Sequence, residues 1–340
     1  MFRVSLVFFF LACLGSGICQ KDKQQLKIVF YNVENLFDTI DDKHKNDNEF
    51  LPDAETQWNT DKYFHKIGNI GRVLSAIDSL DQPAVIGLAE VENKQVLEDL
   101  IQYTPLSKSL YRIILKEGSD PRGIDVAMLY RKDKFTCLGY RAISASREPG
   151  TRVILYVRLL GPARDTLHLF VTHWKSRSGG EKKTRPKRME TAGILRHVTD
   201  SLFLLNPNTA ILILGDLNDE PTDVSVAVGL GALPPVGRTE SVKLYNLFYP
   251  LYQKEQGTIW FRDWDLFDQI IASGNLLVKK NSRMPVIPAP YGHIFIREWM
   301  LKKNADGEHI PFRTFQKGYR GGYSDHLPVY IILQYQGFRE

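Results

Sequence analysis

Residues able to do metal and acid–base chemistry directly follow an apolar stretch in "AILILGDLNDEP", residues 210–221. The branched apolar run passes straight into Asp216, Asn218, Asp219 and Glu220. Carboxylate and amide oxygens are hard ligands that suit Mg²⁺, Mn²⁺ or Ca²⁺. Such a cation neutralises phosphate oxygens while a base activates water, so these residue types favour hydrolysis of a phosphate ester.

Other apolar stretches carry polar residues at their ends. These residues are Asn32 and Glu34 after "KIVFY", Glu90 and Glu92 around the end of "VIGLAEV", His173 after "LHLFVT", Asp268 in "LFDQII", and Asp325 and His326 before "LPVYII". Taken singly, each is explained by the chain reaching solvent. Strands of one sheet bring their ends together, however, and α/β proteins place their sites there. Because clustered carboxylates are costly without a cation, we expect a metal centre. Zinc is disfavoured, since His and Cys do not occur at ligand spacing.

Extended and helical patterns alternate along the chain, which favours one α/β domain over residues 24–337. Apolar residues at helical spacing predict helices at 62–80, 94–103 and 188–205. Apolar or β-rich runs predict strands at 26–33, 84–91, 111–117, 124–131, 152–160, 166–174, 210–215, 266–273 and 326–335.

The composition is that of a globular protein: 340 residues, of which 43% are hydrophobic and 24% charged. A chain of this length buries a sizeable core. The formal net charge of +5 fits an anionic partner such as nucleic acid or anionic lipid, but it is too small to identify one. We expect a monomer without a stable protein partner.

Residues 1–19 have the layout of a secretory signal peptide: Arg3, an apolar run at 4–14, then small residues. The run is too short to span a bilayer comfortably, and a buried N-terminal helix is the alternative. We therefore expect an exported protein, periplasmic or secreted, without a transmembrane segment. Lipidation of Cys13 or Cys19, and with it membrane association, stays open although both contexts are poor. Cleavage would leave a single cysteine and no internal disulfide.

Six sequence blocks occur in a fixed order: "FYNVENLFD", "LAEVEN", "THWKSR", "GDLND", "FDQI" and "YSDHLPV". Together, from about Lys27 to Ile332, they resemble the exonuclease–endonuclease–phosphatase superfamily. Pancreatic deoxyribonuclease, apurinic endonucleases, sphingomyelinases and inositol polyphosphate 5-phosphatases belong to it. The resemblance implies an α/β (α+β) fold: a four-layered sandwich of two central, mostly antiparallel mixed sheets flanked by helices, with the site at one edge.

The resemblance also implies which residues bind the metal. Asn32, Glu90 and Asp325 match positions at the family's metal site, and Glu90 matches the principal ligand. The implied ion is Mg²⁺, with Mn²⁺ or Ca²⁺ as alternatives. These assignments agree with the preference of such cations for oxygen ligands.

Catalytic roles carry over in the same way. Asp216 matches the residue that activates or orients the attacking water, and Asn218 the amide that holds water or the phosphate. His326 matches the catalytic histidine and Asp268 the carboxylate that orients it. His173 matches a second histidine that supports the phosphate or leaving group. Whether Asp216 or His326 takes the proton stays open, and a purely structural Asp268–His326 pair is the alternative.

Two stretches supply candidate substrate contacts. Lys175 and Arg177 open the basic stretch "HWKSRSGGEKKTRPKRME" (173–190). Arg147 and Arg152 lie in "SREPGTR" (146–152), which resembles an arginine-bearing loop of the deoxyribonucleases, and that resemblance implies their contact with phosphate. A basic loop beside a site attracts phosphates, whereas a solvated loop with a basic first helical turn explains the pattern equally well.

Two further stretches leave a structural and a functional interpretation open. Asp219 and Glu220 fit the acidic first turn of a helix that begins at Pro221, which we prefer to a chemical role. The insertion at 282–323 carries aromatic residues that either stack on bases or, as we prefer, pin the segment to the body. They are Tyr291, Phe295, Trp299, Phe312, Phe315 and Tyr319.

The motifs predict a divalent-metal-dependent phosphoesterase, and an exported nuclease acting on DNA or RNA is the preferred hypothesis. The alternative is a phosphatase or phospholipase-type hydrolase acting on phospholipid or small phosphate esters. A binding module without activity is disfavoured, because every motif position retains a competent residue. Fold and motif define the reaction better than the substrate.

Overall fold

The computed structural model describes residues 24–148, 150–278 and 284–335. The helices in these ranges are α1 (Thr60–Ile77), α2 (Lys94–Gln102), α3 (Glu181–Leu205) and α4 (Tyr249–Tyr252). Short 3-10 turns lie at Asn48–Phe50, Pro105–Lys108, Gly274–Leu276 and Glu298–Met300, and a π-helical turn at Ser225–Leu230.

The strands begin with β1 (Gln24–Leu36), β2 (Val85–Val91), β3 (Tyr111–Leu115), β4 (Asp125–Arg131), β5 (Thr136–Ser144), β6 (Val153–Leu160), β7 (Thr166–His173) and β8 (Ala210–Asp216). They continue with β9 (Ala232–Leu233), β10 (Leu244–Asn246), β11 (Ile259–Trp260), β12 (Trp264–Asp265), β13 (Asp268–Ser273), β14 (His293–Ile294), β15 (Leu301–Lys303), β16 (His309–Pro311) and β17 (Val329–Tyr335).

Two large sheets form the centre of the molecule. The first has six strands in the order β14-β17-β1-β2-β4-β3, and the second has seven in the order β5-β6-β7-β8-β13-β10-β9. The β1–β2, β7–β8 and β9–β10 pairs are parallel and the other pairs of these two sheets are antiparallel. The expected pair of mostly antiparallel mixed sheets is thus confirmed.

Three buried clusters separate four layers. The cluster between the sheets takes Phe30 from the first sheet and Leu212 from the second. A second cluster packs Ile67 of α1 against the outer face of the first sheet, and a third packs Leu195 of α3 against the outer face of the second. The predicted α/β sandwich with outer helices is therefore confirmed. Each sheet is apolar on both faces, as its burial on both sides requires.

Most predicted elements form close to their predicted bounds, with two corrections. The helix predicted at 188–205 begins earlier, at Glu181, where Arg185 pairs with Glu181 at i,i+4 spacing. The first, polar part of α3 lacks apolar residues at helical spacing, so the sequence pattern does not predict that it is helical. No helix begins at Pro221; a turn leads into the π-helical Ser225–Leu230, because Asp219 is buried in ion pairs instead of capping a helix.

Edge strand β5 was not predicted. It is exposed along much of its length, so it lacks the apolar run of a central strand. In the described part of the chain, no helix is long and apolar enough to cross a membrane. The predicted signal peptide at 1–19 lies outside the described residues.

Candidate active site

The cluster between the sheets becomes polar at one end. Side chains alternate along a strand, so Leu212 and Leu214 of β8 point into this cluster and place Asp216 on the same face. Asp216 is in register with His173 of β7 on one side and with Asp268 of β13 on the other. The three predicted residues therefore form one row across three neighbouring strands.

The first sheet faces this row with Asn32 and Glu90. The Asn32 Nδ2 amide donates to Glu90 Oε1 at 3.2 Å and to Asp216 Oδ2 at 3.0 Å, which joins the two sheets. Glu90 has a positive φ of 64°, and the β2–β4 register shifts at this point. A bulge of this kind re-aims a side chain, and the unfavourable backbone is typical of a functional position.

His326 completes the cluster from the loop before β17. Its Nδ1 lies 2.7 Å from Asp268 Oδ2 and its Nε2 lies 3.8 Å from Asp216 Oδ2. Its backbone N–H donates to Ser324 Oγ at 3.1 Å, and Ser324 in turn donates to the Asn32 carbonyl at 2.7 Å. The imidazole is thus held in one orientation by a buried carboxylate and by its own backbone.

Burial and charge set the protonation of this cluster. Burial lowers the pKa of His326, but the neighbouring Asp268 carboxylate outweighs it and holds the pKa well above the ordinary value. Burial, together with the Arg152 charge, holds the pKa of His173 well below its ordinary value. Burial raises the pKa of Asp216 to about 7 against the opposing charge of His326. One histidine is therefore cationic and the other neutral at neutral pH.

The loop after β8 holds Asn218 beside this row. Its φ is 49°, its backbone N–H donates to Asp216 Oδ1 at 3.0 Å and its Nδ2 donates to the Trp174 carbonyl at 3.2 Å. The next residue, Asp219, pairs with Arg188 at 2.7 Å and with Arg177 at 3.0 Å. Asp219 therefore supports the loop from behind, away from the metal chemistry.

Two clefts open at the cluster. One, of about 730 Å³, is bordered by Glu90 and Asp325. The other, of about 120 Å³, is bordered by His173, Arg152 and Lys175. His173 Nε2 lies 3.8 Å from Glu90 Oε1, so a residue that lines the smaller cleft contacts one that lines the larger cleft.

Of the four predicted substrate contacts, two line a cleft and two do not. Arg152 and Lys175 line the smaller cleft. Arg177 pairs with Asp219 and Asp223 and lies over the Phe267 ring, and exposed Arg147 is not among the described residues lining either cleft. Contact of these residues with substrate stays a prediction.

The donor set fits a hard divalent cation. Glu90 and Asp325 have partly exposed side chains, at 18% and 21%, that border the larger cleft, and Asp216 lies directly behind Glu90. Ligand atoms of Asp216, Asp268 and His326 also lie within 4.8 Å of one another. His326 and Asp268 are hydrogen-bonded to each other, whereas the carboxylates of Glu90 and Asp325 face the larger cleft. Binding of the cation by Glu90 stays a prediction.

Glu34 and Arg313 also belong to the site, and the sequence assigned no role to either. Arg313 of the 282–323 insertion donates to Asp325, and its Nε lies 3.6 Å from Glu34 Oε1. Glu34 was recognised as a polar strand end, but its partners are far along the chain. The aromatic side chains of the insertion pack on the buried clusters, which confirms that they pin it to the body.

Three solved structures illustrate the fold that this chain shares, and no curated protein matches the sequence. An endonuclease/exonuclease/phosphatase family protein from Bacteroides thetaiotaomicron is 16% identical, with a TM-score of 0.57 and coverage of 93% of this chain and 99% of the other. TDP2 of D. rerio, complexed with single strand DNA product, is 17% identical at a TM-score of 0.55, covering 91% and 98%. The mannosyl-6-phosphatase of B. thetaiotaomicron is 17% identical at a TM-score of 0.53, covering 91% and 99%.

The sequence model of the Endonuclease/Exonuclease/phosphatase family matches residues 27–335, nearly all of the described chain. This match confirms the resemblance carried by the six blocks, and with it the predicted enzyme class, a metal-dependent phosphoric ester hydrolase. The chain is a member of the endonuclease/exonuclease/phosphatase family.

Proposed function

We propose that the protein is a Mg²⁺-dependent phosphodiesterase that cleaves nucleic acid. The position of two clefts on either side of the His173–Glu90 contact carries this proposal. A phosphodiester has a substituent on each side of the scissile phosphate, so two clefts that flank the reacting groups suit it better than one closed pocket. The smaller cleft offers Arg152 and Lys175 to a flanking phosphate.

In this proposal Glu90 holds the cation, with Asn32 and Asp325 beside it, and Mn²⁺ or Ca²⁺ are the alternatives to Mg²⁺. When bound, the cation neutralises non-bridging phosphate oxygens and assists ionisation of water. Asp216 takes the proton from the attacking water, because its pKa of about 7 matches that task. Asn218 orients the water or the phosphate.

The two histidines act on the phosphate side of the reaction. Cationic His326, held by Asp268, donates a hydrogen bond to the phosphate as negative charge develops. Neutral His173 supports the phosphate or the leaving group from the neighbouring strand. Asp268 acts only through His326, whose tautomer and charge it maintains.

A phosphatase acting on small phosphate esters is the second candidate, and the ion pairs of the basic stretch favour it. Arg185 pairs with Glu181, Lys187 with Glu148, and Arg188 with Asp219, which leaves fewer cations for a polyanion. Glu49 and Glu55 also border the larger cleft. Carboxylates there suit a hydroxyl-rich leaving group better than a second phosphate.

One experiment separates these candidates. The chain from residue 20 is offered plasmid DNA, RNA, bis(p-nitrophenyl) phosphate and p-nitrophenyl phosphate, each with Mg²⁺, Mn²⁺, Ca²⁺ or EDTA. Cleavage of nucleic acid and the diester, abolished by EDTA, supports the proposal. The His326→Ala variant, purified identically, controls for contaminating nucleases. Hydrolysis of p-nitrophenyl phosphate alone would contradict the proposed nucleic-acid phosphodiesterase and favour the phosphatase.

We also propose that residues 1–19 are removed on export. The apolar run at 4–14 behind Arg3 supports this step. Intact mass measurement of the protein recovered from a bacterial periplasm or medium tests it, and retention of the first nineteen residues in the exported protein would contradict it.

A further inference from the structure

Arg313 lies at the junction of two clefts beside the active-site cluster. It borders the larger cleft together with Glu90 and Asp325, and it also borders an adjoining cleft formed by Trp260 and Phe261. Its side chain is 30% exposed. A positive charge is therefore presented to the cleft beside Glu90 and Asp325.

The guanidinium is oriented by two carboxylates that leave some of its donors open. Nη2 donates to Asp325 Oδ2, while the buried Nε lies 3.6 Å from Glu34 Oε1 and makes no hydrogen bond within the described residues. The donors left for a ligand are therefore those of the two terminal nitrogens. A guanidinium has five N–H donors. Asp325 Oδ1 lies 3.9 Å from His326 Nε2, so a single carboxylate separates Arg313 from the catalytic histidine.

Glu34 anchors the backbone next to Arg313. Its carboxylate accepts hydrogen bonds from the backbone N–H groups of Thr314, at 2.6 Å, and Phe315, at 3.2 Å. Glu34 is buried and has a positive φ of 50°. A non-glycine residue persists in this backbone region only where the surroundings over-determine it. Glu34 thus fixes the insertion against the end of β1.

Helix α1, and Trp58 just before it, hold the same segment from the other side. Buried Lys66 donates to Thr314 Oγ1 at 2.7 Å, and the ring of Trp58 lies 5.1 Å from that of Phe315. Arg313 therefore stands on a rigid support, and little ordering would be needed when an anion binds.

We propose that Arg313 binds the phosphoryl oxygens of the substrate and that Glu34 is the positioning residue that holds Arg313 at the cleft. The inference rests on the proposed function only in taking a phosphate ester as substrate, and it applies to monoesters and diesters alike. An arginine suits this task because its planar fork binds two phosphate oxygens together.

Arg313→Gln tests the binding role, with Arg313→Lys as the conservative variant and exposed Arg320→Gln as the matched control from the same segment. Loss of a charge-assisted hydrogen bond predicts a decrease of kcat/KM of about 10- to 100-fold, mostly through KM, and a similar rise in the inhibition constant of inorganic phosphate. Arg313→Lys should recover part of the loss and Arg320→Gln should match the wild type. KM and phosphate inhibition within about twofold of the wild type in Arg313→Gln would overturn the proposal.

Glu34→Gln tests the positioning role. It should raise KM in the wild-type background and add little in the Arg313→Gln background, because a residue that acts through another is not additive with it. Independent, multiplicative effects of the two substitutions would contradict this role.

Calorimetric titration with inorganic phosphate distinguishes a failure of the Arg313 proposal from a failure of the proposed enzymatic function. If the wild type hydrolyses neither nitrophenyl ester, the proposed reaction fails, but Arg313 is still tested by binding. Weaker phosphate binding by Arg313→Gln than by Arg320→Gln supports the phosphate contact. Equal binding by the two variants, or no binding by the wild type, rejects it.

Discussion

Replacing Asp268 by Asn should produce a defect that grows with pH. Asp268 is fully buried and its Oδ2 lies 2.7 Å from His326 Nδ1. The substitution keeps the shape but removes the charge that outweighs burial and keeps the pKa of His326 high. Burial, which lowers the pKa of His326, is then opposed only by the carboxylates of Asp216 and Asp325, so the pKa should fall.

The magnitude follows from that pKa. Once the pH exceeds the lowered pKa of His326, its cationic fraction falls about tenfold per pH unit. A reaction that needs cationic His326 should therefore lose up to about 100-fold more at pH 8 than at pH 6 through protonation alone. His326→Ala removes the group itself and should cost about 10²- to 10⁴-fold at both pH values.

The assay is turnover of bis(p-nitrophenyl) phosphate from pH 6 to 8, read at the isosbestic wavelength of nitrophenol, with thermal unfolding of the same proteins. The double variant should be scarcely worse than His326→Ala, because the two residues act as one unit. Activity of Asp268→Asn that rises with pH relative to wild type would refute the reasoning and make His326 the base. A fall in melting temperature with preserved turnover would mean a structural pair.

Three further outcomes are expected. Glu90→Gln should weaken binding of Mg²⁺, and calorimetry showing unchanged affinity would contradict its assignment as a ligand. Lys182 and Lys183 at the start of α3 are exposed and make no ion pair in the described chain. Replacing both by Ser should reduce the slope of log K for DNA binding against log salt concentration by up to about two units. An unchanged slope would mean that these lysines do not contact DNA. Arg188→Leu leaves Asp219 without its buried partner and should lower the free energy of unfolding by about 3–5 kcal/mol in urea titrations, whereas a change below about 1 kcal/mol would contradict a structural role.

The sequence predicted the elements whose signal is local. Strands such as 84–91 and 210–215 read as apolar runs because both faces of each sheet are covered, and helix 62–80 shows its buried stripe. The row of His173, Asp216 and Asp268 followed from strand ends, since strands of one sheet end at a common edge. The six sequence blocks, which occur in the order typical of the family, then connected these residues with Asn32, Glu90 and His326.

The sequence could not predict interactions that depend on tertiary placement. Glu34 looks like any strand-end carboxylate until the insertion, 280 residues later, supplies its backbone donors. The ion pair of Arg188 with Asp219 could not be predicted, because one residue lies in a basic stretch and the other in a separate acidic stretch. Edge strand β5 is mostly exposed, so its sequence does not show the alternation of apolar and polar residues that predicts a half-buried strand.

The pairing of β1 with β17 has a consequence for when the enzyme can first act. Asn32 and Glu34 of β1 are joined to residues close to β17: Ser324 donates to the Asn32 carbonyl across 292 positions, and Glu34 accepts from the Thr314 backbone across 280. Contacts this distant in sequence form late, and synthesis delivers the N-terminal part first. A growing chain therefore has no complete active site until His326 and the strand behind it have been made. Phosphoesterase activity should therefore begin only after synthesis has passed the end of β17.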